Sequence, residues 1–511
     1  MNKTAILLAV IIMGYLLCGV CAIRSQSITF DEGPHYIFGI RILKGNPVRP
    51  KPVNDNSKMP VSVLNVLPRG AAQLLHPQLH KSDYGQNDII SGRYITLLFS
   101  VCSILLVFWW SKNLYGNNAG LFSAFLFACC PNNQAASMLV TTDAYAVFFL
   151  LATMYCLWKY CNSKSTKDFI FFAVLLGVSQ LVKQSLFHLY VLAPLCMLMY
   201  ALVNREKMLL KPVALKIITT AFISWLIINA GFTFYKTVTP LGGFHFMSNL
   251  FQSLQQALPT GFPVPVSASF VEGLDQAKFY DQLGGGFEAS SFGNVNILGH
   301  STPGSSFWYY YFITLLFKTP LSCILIIMWA LFLYLRNCSV KQFVKQEFFL
   351  WAPVLYFLLY MSFLYKTQCG VRHIIFVYPL LYIFCGSIFQ HIKSKLQWTV
   401  LVLLIAGMLP GLFKYRNNYY PYTNELITDK TNAYNIVGAG NLNFGQAWFF
   451  LNDFLRKNPD ISYAPGKPAK GKFVIVVDDF VDIWNTGKYK WLQHYAPAGQ
   501  VAYSYLLFDI K

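Results

Sequence analysis

The chain has 511 residues, of which 55% are hydrophobic, 17% aromatic and only 12% charged. Soluble proteins carry about 25% charged residues, so composition excludes a cytosolic enzyme, a disordered chain and a secreted disulfide scaffold. The net charge of +19, from 40 Lys and Arg against 21 Asp and Glu, suggests nucleic acid unless membrane topology accounts for it.

A membrane span needs ~20 mostly apolar residues, because the bilayer interior cannot hydrogen-bond an exposed backbone. Uncharged apolar runs cover 4–23, 94–111, 119–139, 144–158, 169–182, 184–204, 217–235, 319–335, 348–365, 374–390 and 396–413. The expectation is an α-helical polytopic membrane protein with about eleven transmembrane helices. The runs 144–158 and 169–182 need flanking residues to complete a span. The first run also admits a cleaved signal peptide, with a weak small-residue pattern at Gly19, Val20 and Cys21.

Lys and Arg near the span ends set the orientation. With a cytoplasmic N-terminus, the inner segments carry Lys3, Lys112, Lys159, Lys164, Lys167, Arg205, Lys207, Lys211, Lys216, Arg336, Lys341, Lys345, Lys393 and Lys395. The short outer connections carry only Lys183, Lys366 and Arg372. This asymmetry explains much of the basic balance without nucleic acid, and it expects an inner-membrane protein whose C-terminal part lies outside the cytoplasm. Three stretches are long and polar enough to fold beyond the bilayer: the outer loops 24–93 and 236–306, and the tail 414–511. The division expected is a membrane catalytic part, 1–413, and a small mixed α/β tail. In that tail 472–478 (KFVIVVD) reads as a buried strand, after a helix-like 445–457. The 12 cysteines show neither a disulfide framework nor paired CxxC spacing.

After the first span comes 27–46, SITFDEGPHYIFGIRILKGN. Asp31 and Glu32 precede Gly33 and Pro34, and proline suits a first helical turn. The helix dipole would favour ionised carboxylates there, so a general base, a cation ligand or a plain helix cap are all open. Asp143 is the only charge between Asn113 and Trp158. An ionisable group at such depth usually faces a polar cavity, with a helix cap as the alternative. Lys183, Lys318 and the pair Arg372 and His373 fall on the same face; each either snorkels or binds an anion, where Arg offers two parallel contacts. The aromatic run 308–312 (WYYYF) reads as an interfacial belt or a platform for sugar or lipid.

Taken in order, these motifs resemble the GT-C superfamily of polytopic glycosyltransferases, specifically the bacterial relatives of protein O-mannosyltransferases and the aminoarabinose transferases. The Asp-Glu pair with His35 opens the first outer loop, Arg93 opens the second span, and Pro131 leads to Thr142 and Asp143. Lys318, Thr319 and Pro320 match a Lys-Thr-Pro element, and Gly370 to His373 a Gly-x-Arg-His element. The tail reads NLNFGQ from Asn441 to Gln446, and WLQHYAP at 491–497. Two departures stand out: 58–61 reads KMPV where the family has His-Pro-Pro-Leu, and Asn443 and Phe444 stand for Asp-Trp.

The resemblance implies an inverting transfer of sugar from a polyprenyl-phosphate donor to a protein, lipid or glycan acceptor. Asp31 would be the base. Glu32 and Asp143 would orient the acceptor, hold Arg93 or bind a cation. Arg372, His373, Lys318 and Lys183 would stabilise the phosphate, with His35, Arg93, Asn441 and Gln446 in support. No cofactor is implied, and a divalent cation stays open. A transporter or lipid flippase, or an inactive relative, are the other readings.

Overall fold

The computed structural model describes residues 3–50, 55, 57–76, 84–205, 210–284, 293–303 and 306–511. The chain begins with α1 (Lys3–Ser25), then α2 (Glu32–Leu43) and α3 (Val63–Leu75), which pack on each other. Next come α4 (Gln86–Tyr115), α5 (Asn117–Cys129), α6 (Pro131–Ser137), α7 (Asp143–Ser163), α8 (Thr166–Ser179), α9 (Leu189–Val203) and α10 (Leu210–Gly231). Two shorter helices, α11 (Asn249–Ala257) and α12 (Ala268–Leu283), precede α13 (Tyr310–Lys318) and α14 (Leu321–Leu335). Then follow α15 (Val340–Lys345), α16 (Phe348–Leu359), α17 (Val377–Cys385) and α18 (Lys395–Lys414).

Among the described residues six helices are long and apolar enough to cross a membrane, and the bent pair α13 and α14 makes a seventh. The eleven apolar runs therefore do not become eleven long helices. The run 119–139 breaks at Cys130, which is extended (φ −77, ψ 117) because the following Pro131 disfavours α conformation there; Pro131 then opens α6. The run 348–365 ends in a π-turn, Tyr360–Leu364, and 374–390 is capped at both ends by 3-10 turns. Helices α1, α10 and α18 bury only 22%, 17% and 17% of their apolar windows, so most of their side chains are left to face lipid.

The bend between α13 and α14 measures 109°. It follows from Pro320, which has no amide hydrogen to continue a helix. Asn424 satisfies the carbonyls this frees: its Nδ2 donates to the oxygens of Leu316 (2.6 Å) and Thr319 (2.8 Å), and its own N–H donates to Phe317 (2.8 Å). Lys318 is thereby held at the elbow.

Beyond α18 the chain builds α19 (Ala433–Val437), α20 (Trp448–Lys457), α21 (Val477–Phe480) and a four-stranded sheet. Two short antiparallel pairs come earlier, β1 (Thr239–Pro240) with β2 (Pro263–Val264) and β3 (Asn294–Ile297) with β4 (His300–Pro303). The sheet comprises β5 (Ser462–Tyr463), β6 (Gly471–Val476), β7 (Gly499–Val501) and β8 (Tyr505–Ile510), in order β5-β6-β8-β7. Phe473, Ile475, Leu506 and Phe508 face one apolar cluster with Val437, Phe480 and Leu492. Val474 and Tyr505 face another, with Leu451 of α20. Alternation of this kind is what period-two burial requires. The expected strand 472–478 ends two residues early, because the chain turns into α21 at Val477.

Candidate active site

Asp31 occupies the N-cap position of α2, but its carboxylate makes no capping bond. Its Oδ2 instead accepts from Arg372 Nη1 at 2.7 Å, and Oδ1 lies 3.8 Å from Lys58 Nζ. The side chain stays 26% exposed, so it can still meet a third group. Burial alone would raise the Asp31 carboxyl; Lys58 and Arg372, helped by His35, outweigh it and hold the group well below the usual carboxylate range.

Glu32, one residue on, points the opposite way. It is fully buried against the equally buried Arg93. Arg93 Nε donates to Oε1 (2.7 Å) and Nη2 to Oε2 (2.6 Å), while the N–H groups of Val140 and Thr29 donate to Oε1 (2.9 Å) and Oε2 (2.8 Å). Arg93 also donates to the carbonyls of Gln26 and Ser27. Of the roles expected for Glu32, holding Arg93 is the one the contacts display. Its two carboxylate oxygens together accept these four hydrogen bonds from the protein. The pair ties the start of α2 to α4 and to the segment before Asp143.

Asp143 begins α7 and is 6% exposed. Lys183 Nζ donates to its Oδ1 at 2.6 Å, and Thr141 Oγ1 lies 3.4 Å from Oδ2. Lys183 therefore meets an acid in this structure rather than standing alone for an anion.

Arg372 sits on a 3-10 turn, Val371–Ile374, entered through Gly370 at φ +85. A Cβ at Gly370 would come within 2.6 Å of the Gly440 carbonyl oxygen, so the turn needs glycine for both conformation and space. Asn441 fixes this turn. Its Oδ1 accepts from Val371 N–H (2.9 Å), and its Nδ2 donates to Val437 O (2.7 Å) and Tyr310 Oη (3.2 Å). Tyr310 Oη accepts from Gly370 N–H at 2.9 Å. The guanidinium of Arg372 lies 4.4 Å over the Phe444 ring, which also stacks on Tyr420, nearly parallel at 14°, and meets Phe30 edge-on.

Lys318 is buried, 1% exposed. Its ammonium donates to the carbonyls of Tyr420 (2.6 Å) and Asn441 (2.8 Å), which leaves one of three N–H bonds for the space it faces. That space is a small cavity lined by Asp143, Lys318, Arg372, Tyr420, Asn441 and Asn132, among others. A larger cavity, about 280 Å³, has Thr142, Lys183 and His373 in its wall. His373 Nδ1 is 3.5 Å from Tyr311 Oη. His35 is buried beside Ser62, whose Oγ is 3.4 Å from its Nδ1; burial keeps this imidazole well below its ordinary value. Gln446 orders the tail loop, accepting from Phe444 N–H (2.7 Å) and donating to Leu442 O and Ser504 Oγ (3.2 Å each).

The expected acids and bases thus gather in one region, with Glu32 and Arg93 packed beneath it. Among the described residues no group of three or more His, Cys, Asp or Glu side chains is placed to hold a metal ion. Two contributors escaped the sequence reading. Lys58 counted as a departure, yet it faces Asp31; Phe444 also counted as one, yet its ring carries Arg372. The aromatic run divides as well: Trp308 and Phe312 are exposed, Tyr310 and Tyr311 are buried, so only part of it is available to a membrane surface.

Residues 84–228 match the sequence profile of a family described as dolichyl-phosphate-mannose-protein mannosyltransferase. A search of curated proteins finds no match. The fold is similar to that of ArnT from Cupriavidus metallidurans bound to undecaprenyl phosphate, with a TM-score of 0.50, 11% identity and coverage of 98% of this chain and 97% of that one. The apo oligosaccharyltransferase of Archaeoglobus fulgidus matches with a TM-score of 0.48 and 12% identity, over 89% of this chain and 58% of that one. The chain thus shares the fold of the ArnT structure over nearly its whole length.

Proposed function

From this fold and its acid–base cluster, we propose that the protein is a glycosyltransferase that moves a sugar from a polyprenyl-phosphate donor to an acceptor at the outer face of the inner membrane. The observation that carries the reading is the Asp31–Arg372 ion pair next to a cavity that Arg372 shares with Lys318 and Asp143. A base for the acceptor and cations for a phosphate stand side by side. The undecaprenyl phosphate named with the ArnT structure and the mannosyltransferase family profile support the same class of donor.

In this mechanism the donor phosphate binds Arg372 and the remaining N–H of Lys318. A hydroxyl or amine of the acceptor attacks the anomeric carbon from the face opposite the phosphate. The bond from that carbon to the phosphate oxygen breaks with inversion, polyprenyl phosphate departs, and Asp31 takes the acceptor's proton. Cations aimed at the departing oxygens stabilise charge that develops in the transition state. In the resting protein Asp31 is a weak base because Arg372 and Lys58 hold it ionised. Donor binding draws Arg372 toward the phosphate, so the carboxylate gains basicity when a substrate is present. Asp143 and Lys183 border the route of the acceptor, and His373 lies on the wall of the larger cavity. The eleven apolar runs are read as spans, 1–413 as the membrane catalytic part, and 414–511 as a domain outside the cytoplasm.

The test supplies purified wild type and Asp31→Asn with polyprenyl-phosphate sugars and a membrane extract as acceptor. Wild type releases polyprenyl phosphate, and the variant is slower by about 10²- to 10⁴-fold, as for loss of a general base. Equal release by both, or lipid movement across vesicles without sugar transfer, would sink the proposal.

A further inference from the structure

The hairpin of β3 and β4 closes against the tail and leaves a cavity of about 400 Å³ between its turn, α19 and α21. That volume falls among small-ligand sites, about 300–1,000 Å³. Backbone bonds fix its frame: Leu298 N–H donates to Ile436 O (3.1 Å), Gly299 N–H to Asn435 O (2.6 Å) and Asn294 N–H to Ile483 O (2.7 Å). Asn294 Nδ2 adds a bond to Asp482 O (2.9 Å), and Gln493 Nε2 one to Phe480 O (3.3 Å). A wall held in this way needs little ordering when a ligand arrives.

Six of the nine lining residues carry hydrogen-bonding side chains, namely Asn296, His300, Ser301, Tyr434, Asn435 and Gln493, and none of the nine is Asp, Glu, Lys or Arg. Amides and hydroxyls both donate and accept, as sugar hydroxyls do, so each can match the other without a charge. A phosphate or carboxylate would find no Lys or Arg in the lining. An acyl chain would leave the amides unmatched, which costs free energy. Asn296 donates its Nδ2 to Val481 O at 3.3 Å, while its Oδ1 is buried without a partner, an unmatched acceptor in the wall. Tyr434 stands perpendicular to Phe480, ring centroids 5.1 Å apart at 87°, and supplies an apolar ring with a polar tip. The cavity shares no lining residue with the two at the candidate active site, yet it lies close to them. Asn435 and Asn441 are six residues apart, at most about 22 Å of chain, and Asn441 fixes the Arg372 turn.

We propose that this cavity binds a short uncharged saccharide, with its hydroxyls on the amides of Asn435 and Gln493 and one ring face on Tyr434. The assignment does not depend on sugar transfer, and its test reads binding alone.

The full chain in detergent is offered an array of glucose, mannose, galactose and N-acetylglucosamine oligomers, beside uronic-acid oligomers and sugar-free peptides. At least one uncharged series is expected to be retained above the other two classes, and its best member is then titrated. Asn435→Ala with Gln493→Ala raises that Kd at least about tenfold, as for the loss of two hydrogen bonds, and Arg372→Gln leaves it as in wild type. Both asparagine and glutamine are exposed, so the double change spares the core. No retained uncharged series, a preference for uronic-acid oligomers or peptides, or a Kd unmoved in the double variant would each overturn the assignment. A rise confined to Arg372→Gln would also overturn it, by placing the sugar at the candidate active site. The wild-type array stands even if a variant fails to fold.

Discussion

Asp31 and Glu32 are neighbours in sequence with opposite fates. Successive helical residues point about 100° apart, so at the start of α2 one carboxylate faces Arg372 and Lys58 and the next enters the protein. Sequence alone could not divide them, because the division depends on Arg93, which arrives from another helix. Two predictions follow from the split. Glu32→Gln breaks a buried ion pair and leaves the Arg93 charge uncompensated, at a cost of about 3–5 kcal/mol; thermal unfolding in detergent should show a large fall that Asp31→Asn does not produce. At Asp31 the sign of the pH effect is set by a depressed value. The stabilising pairing is present above the unfolded value of about 3.9 and is lost as pH falls through the lower folded value. The free enzyme should therefore show no acid limb from Asp31 in kcat/KM between about pH 5 and 8. Lys58→Met removes one of the two cations, and the limb should move up toward that range; an unmoved profile would mean that Lys58 does not act on Asp31.

At the scale of elements, the apolar runs were legible because the bilayer demands length and uniform hydrophobicity. Their breaks were not, since a proline between packed helices can be satisfied by groups that only the fold supplies. Asn424, which caps the α13–α14 elbow, is 105 residues from Thr319. The Gly370 turn has the same character: its glycine was visible as part of a motif, but the Gly440 carbonyl that forbids a side chain was not. Gly370→Ala should cost about 1–3 kcal/mol in backbone strain and crowding and displace Arg372. A KM for donor that rises while unfolding shifts only modestly would show the turn acting through Arg372. An unchanged KM would show that Arg372 tolerates its movement.

Across the whole molecule, the acids and cations were found because so few charges occur in the chain, whereas the wall built by the tail was hidden. Asn443 and Phe444 looked like losses from a family pattern. In the fold Asn443 Nδ2 donates to Asp478 Oδ2 at 2.5 Å, joining the loop that carries Phe444 to α21, just after β6. Burial pushes the Asp478 carboxyl up to about 7, and Asp479 adds to this against the Asn443 hydrogen bond. Its protonated form is thus favoured by folding, so stability should fall as pH rises from about 4 to 7, with a slope approaching about 1.4 kcal/mol per pH unit, and level off above. Asp478→Asn should flatten that dependence and raise the melting temperature above pH 7. A variant with the wild-type slope would place the titration elsewhere.

The same loop closes on the opposite end of the chain. Ser27 N–H donates to Gln446 O (3.1 Å), Phe30 N–H to Phe444 O (3.2 Å), and Ser27 Oγ to Gly445 O (2.7 Å), contacts that span 418 residues in the last case. A ribosome adding about 5–20 residues per second needs roughly 20–80 seconds between making the first partner and the second. Throughout that interval the nascent chain holds Asp31 without the aromatic surface that seats Arg372. Under the proposed function the site is then completed late in biosynthesis, and a chain released early by a stalled ribosome would lack the surface that seats Arg372.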